Sequence, residues 1–253
     1  MELGFDIDIV AGMLSVAAVI ISIIAYYRVK NLGRVEKAHD LAEYYGDLLD
    51  DISLLIVIIS EHKEIMPLIN KIDPKEIGLF SKDELQKKYK EPEMAVLRKF
   101  FMEKAVDPVL VQKWFTIARR QINFDDAITE KDLDAAAEMK QEIIRSEFEL
   151  LVTRFINKLE WFSMAFTSRL ANDKVVYQSL HQSFLEIVKL LYFRISYENN
   201  NTYDKYFVNI IHLFLRWRER RENDIAGLNK IEAKNEAKKR KIEDKQTRPP
   251  TLR

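Results

Sequence analysis

"FELLVTRFINKLEWFSMAFTSRLANDKVVYQSLHQSFLEIVKLL", residues 148–191, decides the fold. Ile144, Phe148, Leu151, Phe155, Leu159, Phe162, Phe166 and Leu170 recur in steps of three and four, the period of a helix with one buried face. This helix is expected to open near Thr129. Ala171-Asn172-Asp173 interrupts the pattern as a turn, with Asp173 expected to cap the next helix. A second stripe then carries Val176, Leu180, Phe184, Ile187, Val188, Leu191 and Ile195. Beyond Asn199-Asn200-Asn201 a third helix, expected from about Thr202, presents Tyr206, Phe207, Ile210, Phe214 and Trp217. Turns this short place consecutive helices antiparallel. The reading is an all-α antiparallel bundle whose aromatic stripes form its core.

Composition agrees. Only 6 Gly and 6 Pro in 253 residues disfavour a turn-rich β protein, and Leu, Ile, Glu, Lys and Ala favour long helices. The absence of Cys excludes disulfides, thiolate zinc sites and a Cys nucleophile. Forty basic residues balance 40 acidic ones, so net charge selects no partner. The charge is distributed unevenly, however. Residues 1–27 hold three acids and no Lys or Arg, whereas residues 216–253 hold 13 bases against 7 acids.

Upstream, Ala38, Leu41, Tyr45, Leu48, Ile52, Leu55 and Ile59 keep a heptad-like step through a helix expected from Arg34 to Met66 and ended near Pro67. The stripe suits the core of a bundle or the seam of an oligomeric stalk. Asn31-Leu32-Gly33 is expected to break the chain above it. Residues 67–92 hold Pro67, Pro74, Gly78 and Pro92 and read as the least regular part, with Ser81-Lys-Asp-Glu84 as a capping box for a short helix. Helical pattern returns from Pro92 to about Val106 and from Pro108 to about Ile122.

Ile9–Tyr27 is 19 residues without a charge, nine of them Leu, Ile or Val. As a helix it spans roughly 28 Å, close to the hydrocarbon thickness of a bilayer. Tyr26 and Tyr27 suit the interfacial aromatic belt. An acidic start and two closing tyrosines are unlike a cleaved signal peptide. Arg28, Lys30, Arg34 and Lys37 follow the segment, and no base precedes it. They are expected to orient it and to meet lipid headgroups, with a short N-terminus outside and the rest in the cytoplasm. Ala11, Ser15, Ala18, Ser22 and Ala25 form a small-residue face suited to close packing of membrane helices. The expected order is therefore an extracytoplasmic 1–8, a transmembrane helix 9–27, a juxtamembrane helix 28–66, a cytoplasmic bundle 67–217 and a charged helical extension with a fraying basic tail, 218–253. The fold class expected is all-α, an N-terminal transmembrane helix followed by a cytoplasmic antiparallel helical bundle.

Candidate chemistry is sparse. His39, His62, His181 and His212 form no metal spacing. No phosphate-cradling glycine motif or nucleophile elbow occurs. Asp50-Asp51 and Asp125-Asp126 read as solvated positions, since adjacent helical residues do not share a site. Lys238, Lys239, Arg240 and Lys241 read first as a solubilising tail; alternatively they bind phosphate groups, of lipid before nucleic acid, because no aromatics interleave them for base stacking. No catalytic, cofactor or metal residue is assigned, and the chain is not expected to be an enzyme.

Two resemblances add expectations. Arg34-Val-Glu-Lys-Ala-His39 resembles the R-x4-6-H signature of an all-α ribonuclease family that pairs with nucleotide-binding partners in toxin and defence systems. That implies Arg34 and His39 acting on a scissile phosphate. "INKLEWFSMAFTSRLANDKVVYQSL", residues 156–180, resembles an uncharacterised bacterial family of short helical proteins, often fixed to the membrane by one N-terminal helix, through Asn157, Glu160, Asp173 and Tyr177. It implies an all-α cytoplasmic bundle, at times encoded beside phage-defence genes. The leading expectation is an inner-membrane interaction protein (adaptor, sensor or effector subunit) whose partners are the bilayer and either another protein or its own copies. An oligomeric membrane-perturbing effector and a tethered ribonuclease are the alternatives.

Overall fold

The computed structural model describes residues 7–103, 106–118, 133–199 and 205–247, and side chains over 21–103, 106–118, 138–199 and 205–240. Among these residues every regular element is helical: α1 (Ile7–Glu61), α2 (Ile65–Asn70), a 3-10 turn (Pro74–Glu76), α3 (Lys82–Lys88), α4 (Glu91–Phe101), α5 (Pro108–Ile117), α6 (Leu133–Thr167), α7 (Asp173–Glu198) and α8 (Val208–Thr247). Ile122, Asp125, Asp126, Thr129 and Thr202 lie outside the described residues.

Helix α1 is unbroken through Asn31-Leu32-Gly33, contrary to expectation. A Cβ at Gly33 would meet nothing within 4 Å, so the glycine stands on open surface. Its cost of about 1 kcal/mol relative to alanine is small beside what the following face buries. Ala38, Leu41, Tyr45, Leu48, Ile52, Leu55 and Ile59 are each at most 2% exposed, which makes the heptad-like stripe a bundle core. The helix ends at Glu61, short of Met66. The His62 ring hydrogen-bonds the Ile58 carbonyl (2.8 Å) and its N–H bonds that of Ile59 (3.1 Å), satisfying two terminal acceptors. Pro67 falls in the first turn of α2, where its missing N–H breaks no helical bond.

Contacts set the directions. The Asn172 N–H donates to the Arg34 carbonyl (3.1 Å), and Lys158 pairs with Asp51 (3.2 Å), so α1 runs antiparallel to α6. Phe162 and Phe184 face each other across α6 and α7 (6.1 Å). Helix α8 returns along α7, with Trp217 against Phe184 (5.1 Å) and Asp224 against Tyr177 (3.1 Å). It therefore packs parallel to α6, where Trp217 meets Phe166 (6.1 Å). Trp217 is fully buried, and Tyr177 completes its ring of aromatics (5.9 Å). Two stripe positions depart from expectation. Leu170 is 60% exposed because α6 stops at Thr167, and Tyr206 is 65% exposed because it precedes α8. Arg169, at φ 62°, takes the left-handed conformation that turns the chain between α6 and α7.

The short helices α2–α5 cover the other end of the bundle. Phe100 packs on Phe148 (5.7 Å), and Phe101 stacks on Phe193 (5.9 Å). The irregular stretch before α3 is ordered by two side chains of opposite charge. The buried Glu84 carboxylate accepts from the N–H groups of Gly78 (2.8 Å), Leu79 (2.9 Å) and Phe80 (2.8 Å). The Arg218 guanidinium donates to the carbonyls of Pro74 (3.3 Å), Lys75 (3.4 Å) and Ile77. Ser81 caps α3 by accepting from the Glu84 N–H (3.3 Å), as the capping motif implies, but the Glu84 side chain serves the loop. Phe80, at φ 48°, is thereby held between Tyr192 and Phe214, both at 5.4 Å.

Glu84→Ala leaves three donors unmatched, that of Phe80 buried, and is expected to lower unfolding stability by about 1–3 kcal/mol, with Glu84→Gln losing less. Denaturant titration followed by circular dichroism measures both. On the surface, Lys71 bonds both oxygens of Glu93 (2.9 and 2.8 Å), and the Lys90 N–H adds a third contact (2.7 Å). The Lys71 hydrogen bonds, followed by that from Lys90, hold the Glu93 carboxyl below its usual range. The stability this adds is fully present above the unfolded value of 4.5 and is lost as pH falls through the folded one. Glu93→Gln should therefore flatten the fall of melting temperature with acid below about pH 4.5.

Candidate functional site

Three of the four residues that carry the second resemblance converge on α8. Glu160, on α6, accepts from the N–H groups of Asn209 (3.1 Å) and Ile210 (2.9 Å) and from the Asn209 side-chain amide (2.7 Å). These are first-turn amides, which have no acceptor inside the helix, so a carboxylate from a neighbouring helix caps α8 and complements its dipole. The Thr167 hydroxyl also reaches the Asn209 side chain. The Tyr206 N–H is taken by Asn199 (2.6 Å). These contacts explain a start at Val208 and not near Thr202.

Asp173 is not the cap of α7. Asn172 is, accepting from the Lys174 N–H (3.1 Å). The Asp173 carboxylate instead accepts from the Trp217 indole (3.3 Å) and pairs with Arg216 (3.3 Å). The Tyr177 hydroxyl donates to Asp224 (3.1 Å). Its ring is stacked by His181 on one side (4.4 Å) and covered by the Arg220 guanidinium (3.8 Å). Burial, then the Asp224 bond, pushes the Tyr177 hydroxyl up from its ordinary value. Asn157 is exposed. Together Glu160, Asp173 and Tyr177 form a seat for a helix, with contacts at its start, middle and exit. Sequence reasoning marked the positions but had no signal for what they hold, because each partner lies 44 to 50 residues away.

On α1, the side chains of Ala11, Ser15 and Ala18 lie outside the described residues, while Ser22 and Ala25 are exposed. Around them Ile21 (66%), Ile23 (50%), Ile24 (49%), Tyr26 (61%), Tyr27 (64%), Val29 (71%) and Leu32 (59%) stand uncovered. Arg28 and Lys30 are exposed, Lys30 lying over the Tyr26 ring (5.9 Å). Arg34 is half-buried and belongs to the bundle, and Lys37 is exposed beside Trp161 (6.0 Å). Lys238, Lys239 and Arg240 are exposed on α8, and the side chain of Lys241 lies outside the described residues. Among the described residues no helix is long and apolar enough to cross a membrane. The expected transmembrane helix, 9–27, has no described side chains before Ile21.

The remaining candidates are structural or dispersed. His62 ends α1, and His181 bonds the Tyr177 carbonyl (2.7 Å). His39 and His212 are exposed. No cluster of three metal-ligating residues occurs among the described residues. Arg34 and His39 leave α1 about 140° apart, one toward the bundle and the other toward solvent. Asp51 corrects the solvated reading, being 7% exposed and paired with Lys158. It helps line a charged crevice of about 370 Å³ with Glu147, Arg154, Lys158 and Phe115. A second depression, about 340 Å³ and mainly apolar, lies between α1, α2 and α7 and is lined by Leu49, Ile52, Ile56, Met66, Ile187 and Leu190 among others. Neither brings a nucleophile against a base. Comparison with family models, curated proteins and solved structures finds no match.

Glu160→Ala should cost about 1–2 kcal/mol and speed hydrogen exchange at the amides of Asn209 and Ile210 before it affects those of α7. Glu160→Gln, which keeps one acceptor oxygen, should fall between.

Proposed function

We propose that the protein is a single-pass bacterial inner-membrane protein whose cytoplasmic bundle holds a protein partner, or further copies of itself, at the bilayer. In this reading residues 9–27 span the membrane with residues 1–8 outside. The bundle acts as an adaptor, sensor or effector subunit, and the second resemblance favours a defence system. One observation carries the proposal. A row of large apolar side chains from Ile21 to Leu32 stands uncovered on a helix whose later turns are fully packed. An apolar row of this extent marks a surface that meets lipid or another chain. The uncharged run of residues 9–20 continues it toward the N-terminus, and the bases that follow match the orientation rule. Because α1 is unbroken, the anchor and the bundle core are one helix.

Alkaline carbonate extraction of membranes should leave the full chain in the pellet. Protease added outside spheroplasts should spare the bundle. Release by carbonate, or external digestion of the bundle, overturns the proposal. Since the chain has no Cys, single-cysteine variants at exposed Leu49, Ile56 or Trp161 can be cross-linked in membranes. A discrete adduct at one of them is expected, and none at any of them removes the interaction half of the reading.

A further inference from the structure

We propose that the basic end of α8, at Lys238, Lys239 and Arg240, is a second membrane contact that engages anionic lipid headgroups. The inference rests on the anchor reading above and on the register of two helices. The α6–α7 turn marks one end of the bundle, where Arg34 of α1 is bonded to Asn172. Tyr177 lies five residues into α7 and meets Asp224. Asp224 therefore sits about 7 Å inside that end. Helix α8 leaves the bundle in the same direction as the N-terminal part of α1, because it runs antiparallel to α7 while α1 runs antiparallel to α6. Lys238 lies fourteen residues beyond Asp224, about 21 Å at helical rise. It thus stands about 14 Å past the level of Arg34. The same rise counted back along α1 reaches Ala25 and Tyr26, just beyond Arg28 and Lys30, where hydrocarbon would give way to headgroups. Any outward tilt of α8 lowers this height toward water and does not drive the charges into acyl chains.

The chemistry fits that level. From Ile225 to Ala237, Lys230 and Lys234 are balanced by Glu232 and Glu236. Lys238-Lys239-Arg240 begins the first unbalanced run. All three side chains are exposed, and no ion pair engages them among the described residues. Three consecutive residues cover about 200° of the helix surface, so positive charge surrounds more than half of α8 at this level. Bases held this close to an anionic leaflet each add attraction that salt screens. Residues 225–240 contain no aromatic to stack a base, which separates this end from a single-strand nucleic-acid surface.

The test uses the full chain in nanodiscs, with a fluorophore on Ala237→Cys and a quencher on the lipid headgroups. A second label on exposed Leu32→Cys reports the anchor. The Ala237 label should be quenched in discs rich in anionic lipid and not in zwitterionic ones. High salt should relieve the quenching. Combined Lys238→Gln, Lys239→Gln and Arg240→Gln should weaken the docked state on the order of 100-fold. The Leu32 label should be quenched in every case. Equal quenching of the Ala237 label in both lipids, or indifference to the triple substitution, overturns the proposal. So does a label remote from lipid that responds to added RNA. A Leu32 label that also stays remote, or a chain that fails to enter discs, overturns the anchor reading itself.

Discussion

The carboxylate of Glu160 fixes where α8 begins, and the rest of that helix is counted from there. Its two acceptor oxygens take the first-turn amides of Asn209 and Ile210, groups that no residue within α8 can satisfy. With the start held, Trp217 falls among Phe166, Tyr177 and Phe184. Arg218 falls on the carbonyls before α3, and Asp224 falls on the Tyr177 hydroxyl. A displacement of one residue would rotate α8 by about 100° and replace the indole in the core with a charged neighbour, Arg216 or Arg218. The cap is thus a register device as much as a source of stability.

The two ends of the bundle are held differently. Toward the α2–α5 end, apolar rings interlock and an irregular segment is bound through its backbone, Glu84 taking its N–H groups and Arg218 its carbonyls. Toward the other end, the α6–α7 turn is tied to α1 by a main-chain bond at Arg34, and past it both α1 and α8 continue without cover. The core therefore stops while two helices do not. Uncovered apolar and basic residues gather at that end.

The buried faces of α1, α6 and α7 were legible because periodicity is local: one helix turn reports whether the next faces the same way. Ser81 as the cap of α3 was legible for the same reason. What escaped depended on distant partners. Asp51 reads as solvated until Lys158, 107 residues on, is placed beside it. The start of α8 reads as Thr202 until Glu160 selects Val208. Gly33 reads as a break because its intrinsic cost is visible in sequence, whereas the packing that outweighs it is not. Glu160, Asp173 and Tyr177, three positions of the likeness at residues 156–180, all contact α8. That they grip a third helix could be read only once the three helices were side by side.

The outer half of α8 has a mechanical character that the packed half lacks. From Ile225 to Arg240 every side chain is exposed, so this stretch is held helical by its own main-chain bonds and not by packing. Helices of such length without tertiary support are marginal in water. The extension is accordingly a semi-rigid spacer whose helicity, with no core behind it, falls as temperature rises.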